Sequence, residues 1–465
     1  MGHPDLVIVS NRGPLSFTIG PDGEPVARRG AGGLVSSLGP AVAGTGATWV
    51  AGAISDADRA AAAHGVVEAE GFRLRSLVIE PAAYGQFYDV IANATLWFLH
   101  HNLFDLPRRP RFDHRWRQAW ATFVDVNRAF AQAAADEAPD GGIVIVHDYH
   151  LPLVGATLAE LRPDLRTVHF QHTPFCDPGA LRVLPDEAAR QLLAGHAAHG
   201  AAGFHTRRWA AAFTACAEAV LGAAPPTFVA PAAIDVDDVR AVAASDACAA
   251  WLARLDDQVG DRRVIVRVDR IELSKNLLRG FLAFEALLQS RPEWRERVVF
   301  VAGVYPSREN LADYLAYRSE TEALVERINT TWATASWTPV LLDTSDSFPR
   351  SVAALCRYDV LLVNPVRDGL NLVAKEGASV NERDGVLALS REAGVWEELG
   401  HASLEVNPFD VAGTADVLAA ALEMAPEERA RRAAELREVS ARRSPQDWLD
   451  DQLGAARTSG RRAGG

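Results

Sequence analysis

The sequence predicts an α/β fold made of two Rossmann-like, doubly wound domains that face each other across a cleft. Short runs of Val, Ile and Leu recur along the chain, and such runs suit parallel strands buried on both faces. Segments rich in Ala, Leu, Glu and Arg separate these runs, as expected for βαβ units. The predicted strands span residues 6–10, 143–147, 167–172, 264–268, 298–301, 360–363 and 386–389, and the clearest predicted helices span residues 277–288 and 311–328.

The predicted strands fall into two sets, one ending near residue 235 and the other starting near residue 264. We therefore predict an N-terminal domain over residues 1–235 and a C-terminal domain over residues 236–443, with a linker and a helix between the two sets of strands. Ser444 followed by Pro445 is typical of a helix start, which predicts a last helix over residues 444–457. Residues 458–465 are rich in Gly, Ser and Arg and predict a disordered tail.

Composition excludes several classes of function. The 465 residues include 47 basic and 60 acidic side chains, so the net charge is −13, which argues against a nucleic-acid or anionic-membrane surface over the whole body. The four cysteines lie far apart and form no C-x-x-C pair, so zinc ribbons and disulfide frameworks are not expected. We find neither a run of 18 apolar residues nor a signal-peptide pattern, and we expect a cytoplasmic protein with no membrane segment.

The first candidate motif is glycine-rich and contains Gly30, Gly32 and Gly33 just before an apolar segment. Glycines let backbone amides approach a phosphate, and a helix N-terminus adds positive potential. The pattern is neither a Walker A loop nor a complete G-x-G-x-x-G motif. It predicts either a phosphate-binding turn or an ordinary glycine-rich turn.

Two polar strings end predicted strands in the N-terminal half: His147-Asp148-Tyr149-His150 and Gln171-His172-Thr173. Ligands of doubly wound sheets bind outside the carboxyl ends of the strands, so both strings are expected on one rim. A lone histidine there is compatible with a structural role, whereas two successive polar clusters favour a ligand-binding site. Arg12, Trp49, Tyr88 and Trp97 add basic and aromatic groups in this half, although a single aromatic residue is more often part of the core.

A basic string follows the predicted strand 264–268 in the C-terminal half. Its Arg270 and Lys275 predict a cationic clamp for a diphosphate leaving group, because fixed cations stabilise charge that builds up at the transition state. Taken alone, the same charges would also fit a solvated surface cluster.

Two carboxylates, Asp368 and Glu376, follow the predicted strand 360–363. They are eight residues apart, a little over two helical turns, so we expect both to point the same way. Carboxylates accept paired hydrogen bonds from sugar hydroxyls, including a ribose diol. An ordinary capped helix is the alternative for this segment.

Together these segments resemble the trehalose-6-phosphate synthase family of retaining glycosyltransferases over about residues 6–455. The matching strings, which occur in family order, are Ser10-Asn11-Arg12, Gly32-Gly33-Leu34, Asn93-Ala94-Thr95-Leu96-Trp97, His147-Asp148-Tyr149-His150-Leu151, His172-Thr173-Pro174-Phe175, Arg270 to Lys275, and Arg367 to Glu376. The resemblance implies the GT-B fold, in which a C-terminal helix crosses back to the N-terminal domain.

The resemblance also implies an activity: transfer of glucose from UDP-glucose or GDP-glucose to glucose 6-phosphate with retention, without a metal or other cofactor. The residues it implies for acceptor binding are Arg12, Tyr88, Trp97, Asp148 and Arg308. Those it implies for donor binding are Gly32, Gly33, Trp49, Arg270, Lys275, Asp368, Asn371, Leu372, Val373 and Glu376. The implied catalytic set is Asp148, His172, Arg270, Lys275 and Asp368, with His172 on the donor glucose.

Such retaining enzymes are thought to work by front-face substitution, in which the leaving phosphate helps to deprotonate the attacking hydroxyl. The residues agree with this, since they offer cations and carboxylates but no nucleophile–base pair. Catalysis would then depend on positioning and on stabilisation of the leaving group.

The sequence departs from the common family pattern at Ala233 and Asn276, which replace glycines, and at Asn364, which replaces Thr or Ser. Three alternatives stay open: a glucosylglycerol-phosphate synthase, a pseudo-glycosyltransferase that couples cyclitols, and a non-catalytic homologue that only binds sugar phosphates. The complete set of implied residues favours a true sugar transferase, and Arg270 with Lys275 argues against the non-catalytic homologue. The sequence leaves the nucleotide base and a homo-oligomer open.

Overall fold

The computed structural model describes residues 2–30 and 33–459. It divides the chain into two compact units. The first comprises Met1–Ala232 and Pro445–Gly465, and the second comprises Ala233–Ser444. The second unit therefore begins after Ala232 and ends at Ser444, whereas the predicted domain boundaries lie at residues 235 and 443.

The first unit contains an eight-stranded sheet and a separate two-stranded hairpin. The strands are β1 (Leu6–Val9), β2 (Leu15–Ile19), β3 (Pro25–Arg29), β4 (Thr48–Gly52), β5 (Val66–Ala69), β6 (Phe72–Leu77), β7 (Ile143–His147), β8 (Arg166–Gln171), β9 (Ala201–Phe204) and β10 (Thr227–Val229). The sheet order is β10-β9-β8-β7-β1-β4-β6-β5, and β5 alone pairs antiparallel in it. The hairpin consists of β2 and β3.

The helices of the first unit are α1 (Gly33–Val42), α2 (Asp56–Ala62), α3 (Pro81–Gly85), α4 (Phe98–His101), α5 (His114–Glu137), α6 (Val154–Leu161), α7 (Pro178–Leu181), α8 (Asp186–Ala197), α9 (Arg207–Leu221) and the C-terminal helix (Pro445–Ser459). A π-helix spans Gln86–Trp97. The C-terminal helix reaches Ser459, two residues beyond the predicted end at residue 457. Residues 460–465 of the predicted tail lie outside the described residues.

The second unit contains a six-stranded parallel sheet of order β13-β12-β11-β14-β15-β16. Its strands are β11 (Arg263–Arg270), β12 (Val298–Tyr305), β13 (Val340–Asp343), β14 (Val360–Val363), β15 (Val386–Ser390) and β16 (Leu404–Val406). Its helices are α10 (Val236–Ala243), α11 (Asp246–Val259), α12 (Leu277–Ser290), α13 (Ala312–Trp332), α14 (Phe348–Arg357), α15 (Leu372–Val380), α16 (Trp396–Leu399), α17 (Val411–Glu423) and α18 (Pro426–Ala441). Short 3₁₀ turns span Leu273–Lys275, Pro292–Trp294 and Gly400–Ala402.

The predicted fold class is confirmed, since each unit has a parallel α/β sheet and all seven predicted strands are present. The stretch predicted as a linker with one helix instead forms two helices, α10 and α11, each capped by the side chain of the residue before it. No helix in the described part of the chain is long and apolar enough to cross a membrane.

Trp448 anchors the C-terminal helix to the core of the first unit. Its side chain is fully buried, its ring lies 5.2 Å from that of Phe170 on β8, and its indole N–H donates to the Ala230 carbonyl at 3.1 Å. An aromatic side chain of this size contributes both buried area and a satisfied polar group. Trp448 therefore attaches the C-terminal helix to the sheet near the carboxyl end of β8.

We expect Trp448→Ala to lower the free energy of unfolding of the first unit by about 3–5 kcal/mol, because it leaves a cavity and an unsatisfied carbonyl. Urea denaturation followed by circular dichroism measures the change. Leu161→Ala, at a side chain on α6 that is 42% exposed, is the control and is expected to have little effect. A loss for Trp448→Ala as small as that of the control would contradict this role.

Candidate active site

Two strand ends of the first unit meet at one edge of its sheet. β7 and β8 are parallel neighbours, with His147 paired to Phe170. Directly beyond them, the Asp148 N–H donates to the Phe170 carbonyl at 2.8 Å. The two polar strings that follow these strands therefore lie side by side, as the sequence predicted.

Asp148 joins these two strings. Its Oδ1 accepts the backbone N–H groups of His172 at 3.2 Å and Thr173 at 3.4 Å. Its Oδ2 lies 3.9 Å from Nδ1 of His150. Burial raises the pKa of the Asp148 carboxyl, and the neighbouring His150 opposes that rise. Asp148 thus holds the backbone of His172 while keeping one oxygen toward His150.

The ring of His172 contacts a second histidine. Its Nε2 lies 3.0 Å from Nδ1 of His147. Burial lowers the pKa of His172 to about 3. His172 is therefore a neutral imidazole near pH 7, able to donate or accept a hydrogen bond.

A stack of rings continues from this edge. Tyr88 stacks on His150 with ring centroids 5.6 Å apart and on Tyr84 at 5.3 Å. The Tyr84 hydroxyl accepts from the Asn11 amide at 3.1 Å, and the exposed Arg12 follows Asn11 in the chain. We call Arg12, Tyr84, Tyr88, Asp148, His150 and His172 the first-unit cluster.

Two tryptophans predicted for the site are buried. Trp49 lies in the internal strand β4 with no exposed surface, and its indole N–H donates to Ser10 Oγ at 2.8 Å. Trp49 thus contributes to the core of the first unit, and its predicted donor contact stays a prediction. Trp97 ends the π-helix, is 2% exposed and packs against His101 with ring centroids 4.2 Å apart. Gly32 lies outside the described residues, whereas Gly33 begins α1.

In the second unit, two arginines share one buried carboxylate. Glu272 Oε1 lies 3.0 Å from Arg270 Nη1 and 2.9 Å from Arg308 Nη1. Glu272 is 2% exposed, whereas the Arg270 side chain is 47% exposed, and the carboxylate raises the pKa of Arg270. Two guanidinium groups on a single carboxylate leave one positive charge in excess, which favours an anionic ligand.

Lys275 adds a third cation beside a second carboxylate. Its Nζ lies 2.7 Å from Asp368 Oδ2 and 3.8 Å from Asp269 Oδ1. Burial opposes the charge on Lys275, but Asp368 and Asp269 outweigh it and raise the lysine pKa. We call Asp269, Arg270, Glu272, Lys275, Arg308 and Asp368 the second-unit cluster.

The helical spacing predicted for Asp368 and Glu376 is wrong. Helix α15 begins at Leu372, and Asp368 lies before it in a segment that pairs with Ala393. Asn371 separates the two, with a φ of 84°, and its side chain caps α15 while donating to Asp368 Oδ2 at 3.1 Å. Asp368 is thus oriented by Asn371 and Lys275, not by the helix.

The first turn of α15 offers further groups for an anion. The backbone N–H groups of Leu372 and Val373 stand at a helix N-terminus, where such groups lack partners within the helix. One turn later, Glu376 is largely buried, and its side chain makes no hydrogen bond to any other described residue. Burial raises the pKa of Glu376 to about 7.

Sequence reasoning missed Tyr84 and assigned no role to Glu272 or His147. The spacing of Tyr84 and Tyr88, four residues apart, was a usable signal, because such pairs face each other on a helix. Glu272 contacts Arg308, which lies 36 residues further along the chain, and no local sequence pattern indicates that contact.

The chain is similar to known proteins over nearly its whole length. A family model described as Glycosyltransferase family 20 matches residues 4–457. The chain is 32% identical to a trehalose-6-phosphate synthase of Mycolicibacterium vanbaalenii over 93% of this chain and 91% of the relative. It is 32% identical to a bifunctional trehalose-6-phosphate synthase/phosphatase of Thermoproteus tenax over 96% of this chain, but it spans only 62% of that relative.

Solved structures are similar over nearly the whole chain. A structure described as trehalose-6-phosphate from E. coli bound with UDP-2-fluoro glucose has a TM-score of 0.84 and 28% identity, with 97% of this chain and 98% of that chain covered. An alpha,alpha-trehalose-phosphate synthase (UDP-forming) from Burkholderia xenovorans in complex with glucose-6-phosphate has a TM-score of 0.84 and 27% identity, with 97% and 100% covered.

We expect Glu376→Gln to stabilise the second unit at pH 8 by about 2–3 kcal/mol. The folded carboxyl keeps its proton up to about pH 7, whereas the unfolded carboxyl loses it near its ordinary pKa of 4.5. Stability of the natural protein therefore falls as pH rises between these values, and glutamine removes that loss.

Urea denaturation between pH 4 and pH 8 tests this prediction. Glu320→Gln, at an exposed glutamate of α13, is the control for the loss of one negative charge. A stability difference between Glu376→Gln and the natural protein that stays constant over this pH range would contradict the prediction.

Proposed function

We propose a function for this chain from one premise: it belongs to glycosyltransferase family 20. The chain is a retaining glycosyltransferase that transfers glucose from UDP-glucose or GDP-glucose to glucose 6-phosphate and so forms trehalose 6-phosphate. The observation that supports this most directly is the second-unit cluster, where three cations lie against three carboxylates beside the N-terminus of α15. A diphosphate-linked sugar needs such an array, because its leaving group gains negative charge as the glycosidic bond breaks.

We assign the donor to the second unit. Arg270 and Lys275 bind the diphosphate, and the first amides of α15 complete its site. Asp368 accepts hydrogen bonds from glucose hydroxyls. Glu376 accepts them from the ribose, which suits a carboxylate without a protein hydrogen-bond partner among the described residues.

We assign the acceptor sugar to the first unit. Arg12 is an exposed cation beside the stacked rings of Tyr84 and Tyr88, an arrangement that suits a sugar phosphate. Asp148 accepts from acceptor hydroxyls, and His172 contacts the donor glucose. Arg308, which the resemblance implied for the acceptor phosphate, adds charge beside Arg270 through their shared Glu272.

The reaction that these groups support needs no protein nucleophile. The anomeric hydroxyl oxygen of glucose 6-phosphate bonds to C1 of the donor glucose while the bond from C1 to the diphosphate oxygen breaks on the same face. The proton of that hydroxyl passes to the leaving diphosphate. Arg270 and Lys275 stabilise the charge on the diphosphate, and the two clusters supply positioning.

Several finer points stay predictions. The proposed reaction uses no cofactor, and the nucleoside diphosphate glucose is a co-substrate. The cytoplasmic location is a prediction from the sequence, and the proposal covers both UDP-glucose and GDP-glucose. A glucosylglycerol-phosphate synthase and a cyclitol-coupling enzyme differ from our proposal in the acceptor, so the acceptor is the point to test.

Purified protein incubated with UDP-glucose or GDP-glucose is expected to release nucleoside diphosphate rapidly only when glucose 6-phosphate is added. Coupled detection of UDP or GDP measures release, and mass spectrometry identifies the disaccharide phosphate. Glycerol 3-phosphate and buffer alone are the matched acceptor controls. Release with glycerol 3-phosphate but not with glucose 6-phosphate would overturn the proposal.

We expect Arg270→Ala and Lys275→Ala each to lower kcat by about 100- to 1,000-fold, since each removes a fixed cation from the leaving group. Arg327→Ala is the matched control, because Arg327 is 50% exposed and also pairs with a largely buried glutamate, Glu285. Steady-state kinetics and circular dichroism separate lost catalysis from lost folding. Full activity of the Arg270→Ala/Lys275→Ala double variant would refute the clamp.

A further inference from the structure

His147 and His172 form a hydrogen-bonded pair of imidazoles at the edge of the first-unit sheet. Nδ1 of His147 lies 3.0 Å from Nε2 of His172. His147 has no exposed surface, whereas His172 is partly exposed. The neighbouring Asp148 binds the backbone N–H of His172. Consecutive residues at the end of β7 therefore fix both the ring and the backbone of His172.

The other ring nitrogen of His147, Nε2, is buried and has no hydrogen-bond partner among the described residues. The centroid of the His147 ring lies 6.2 Å from that of Phe170 and 6.0 Å from that of Trp448. Burial lowers the pKa of His147 well below its usual range, and the nearby His172, His169 and His205 lower it further. The pair is neutral, so a single proton lies between the two rings.

Either histidine can be the donor of this hydrogen bond. In one arrangement, His172 donates through Nε2–H, and His147 must then hold its own proton on the buried, unpartnered Nε2. In the other, His147 donates through Nδ1–H, and its Nε2 is a bare acceptor. A buried N–H without an acceptor is rarer and costlier than an acceptor without a donor. The second arrangement is therefore favoured, and it leaves the proton of His172 on Nδ1.

We propose that His147 is a positioning residue that holds His172 in the Nδ1–H tautomer, so that His172 acts as a hydrogen-bond donor to a substrate sugar oxygen. The use of that donor rests on the proposed function, whereas the tautomer itself does not. Nδ1 of His172 makes no hydrogen bond to any other described residue, so it stays available to a ligand. A sugar oxygen bound there meets a neutral donor whose orientation is already set.

The ring-nitrogen ¹⁵N spectrum of the full-length, ligand-free protein tests the tautomer. Histidine-labelled protein is used, and His172→Gln identifies the His172 signals. We expect a protonated Nδ1 and a bare Nε2 for His172 in the natural protein and in His147→Asn, whose amide can still donate. His147→Phe cannot donate, and we expect His172 to move to the Nε2–H form and kcat/KM to fall by about 10-fold or more.

His196→Asn is the control, because His196 is equally buried but makes no hydrogen bond to His172. We expect it to leave the His172 signals and kcat/KM unchanged. A bare Nδ1 on His172 in the natural protein would overturn the proposal whether or not the enzyme makes trehalose 6-phosphate. An equal loss of kcat/KM in His147→Asn and His147→Phe, with the tautomer restored only in the first, would also overturn it.

Discussion

The buried guanidinium of Arg267 holds the second-unit cluster together. It has no exposed surface, and it donates to Asp269 Oδ2 at 3.0 Å, to the Lys275 carbonyl at 2.6 Å and to Asn364 Oδ1 at 2.8 Å. These partners belong to β11, to the 3₁₀ turn after it and to the residue that follows β14. A buried charge that loses a partner is costly, so the three segments stay in register and Lys275 keeps its place beside Asp368. Gly280 permits this arrangement, since a Cβ there would clash with Arg267 Nη1.

The two clusters share one feature, in which a single carboxylate orients neighbouring groups of the site. In the second unit, Glu272 fixes Arg270 and Arg308 through a single oxygen. In the first unit, Asp148 fixes the backbone of His172. The orienting groups lie within a few residues of a strand end, and the carboxyl ends of parallel strands lie at one edge of a sheet. Groups that must meet a charged sugar substrate are thus held before the substrate arrives, which reduces the reorganisation that catalysis requires.

The sequence predicted the elements whose pattern is local and missed those that depend on distant contacts. Long apolar runs such as β11 and β14 are recognisable because both faces are buried, whereas β6 alternates buried and half-buried residues and escaped notice. The burial of Trp49 was not evident from the sequence, because it depends on the position of β4 inside a sheet whose order the sequence does not show. The charges of the clamp were evident, but the carboxylate that joins Arg270 to Arg308 became apparent only when β11 and the loop after β12 were brought together.

Backbone conformation bears on the choice between a catalyst and a protein that merely binds sugar phosphates. Four non-glycine residues in or directly beside the two clusters have positive φ: Asp148 at 71°, Asn276 at 62°, Arg308 at 49° and Asn371 at 84°. Asparagine and aspartate tolerate this region, whereas an arginine there costs free energy that Glu272 and Tyr314 must offset through its guanidinium. The side-chain amide of Asn276 donates to the carbonyls of Asn364 and Pro408, which offsets the free-energy cost of its positive φ. A glycine could not make these hydrogen bonds. A protein that only binds a phosphate needs no such precision, because cations on flexible side chains are enough to bind it. Residues held in uncommon backbone conformations by specific partners suit a reaction that depends on exact placement, and this favours the catalyst.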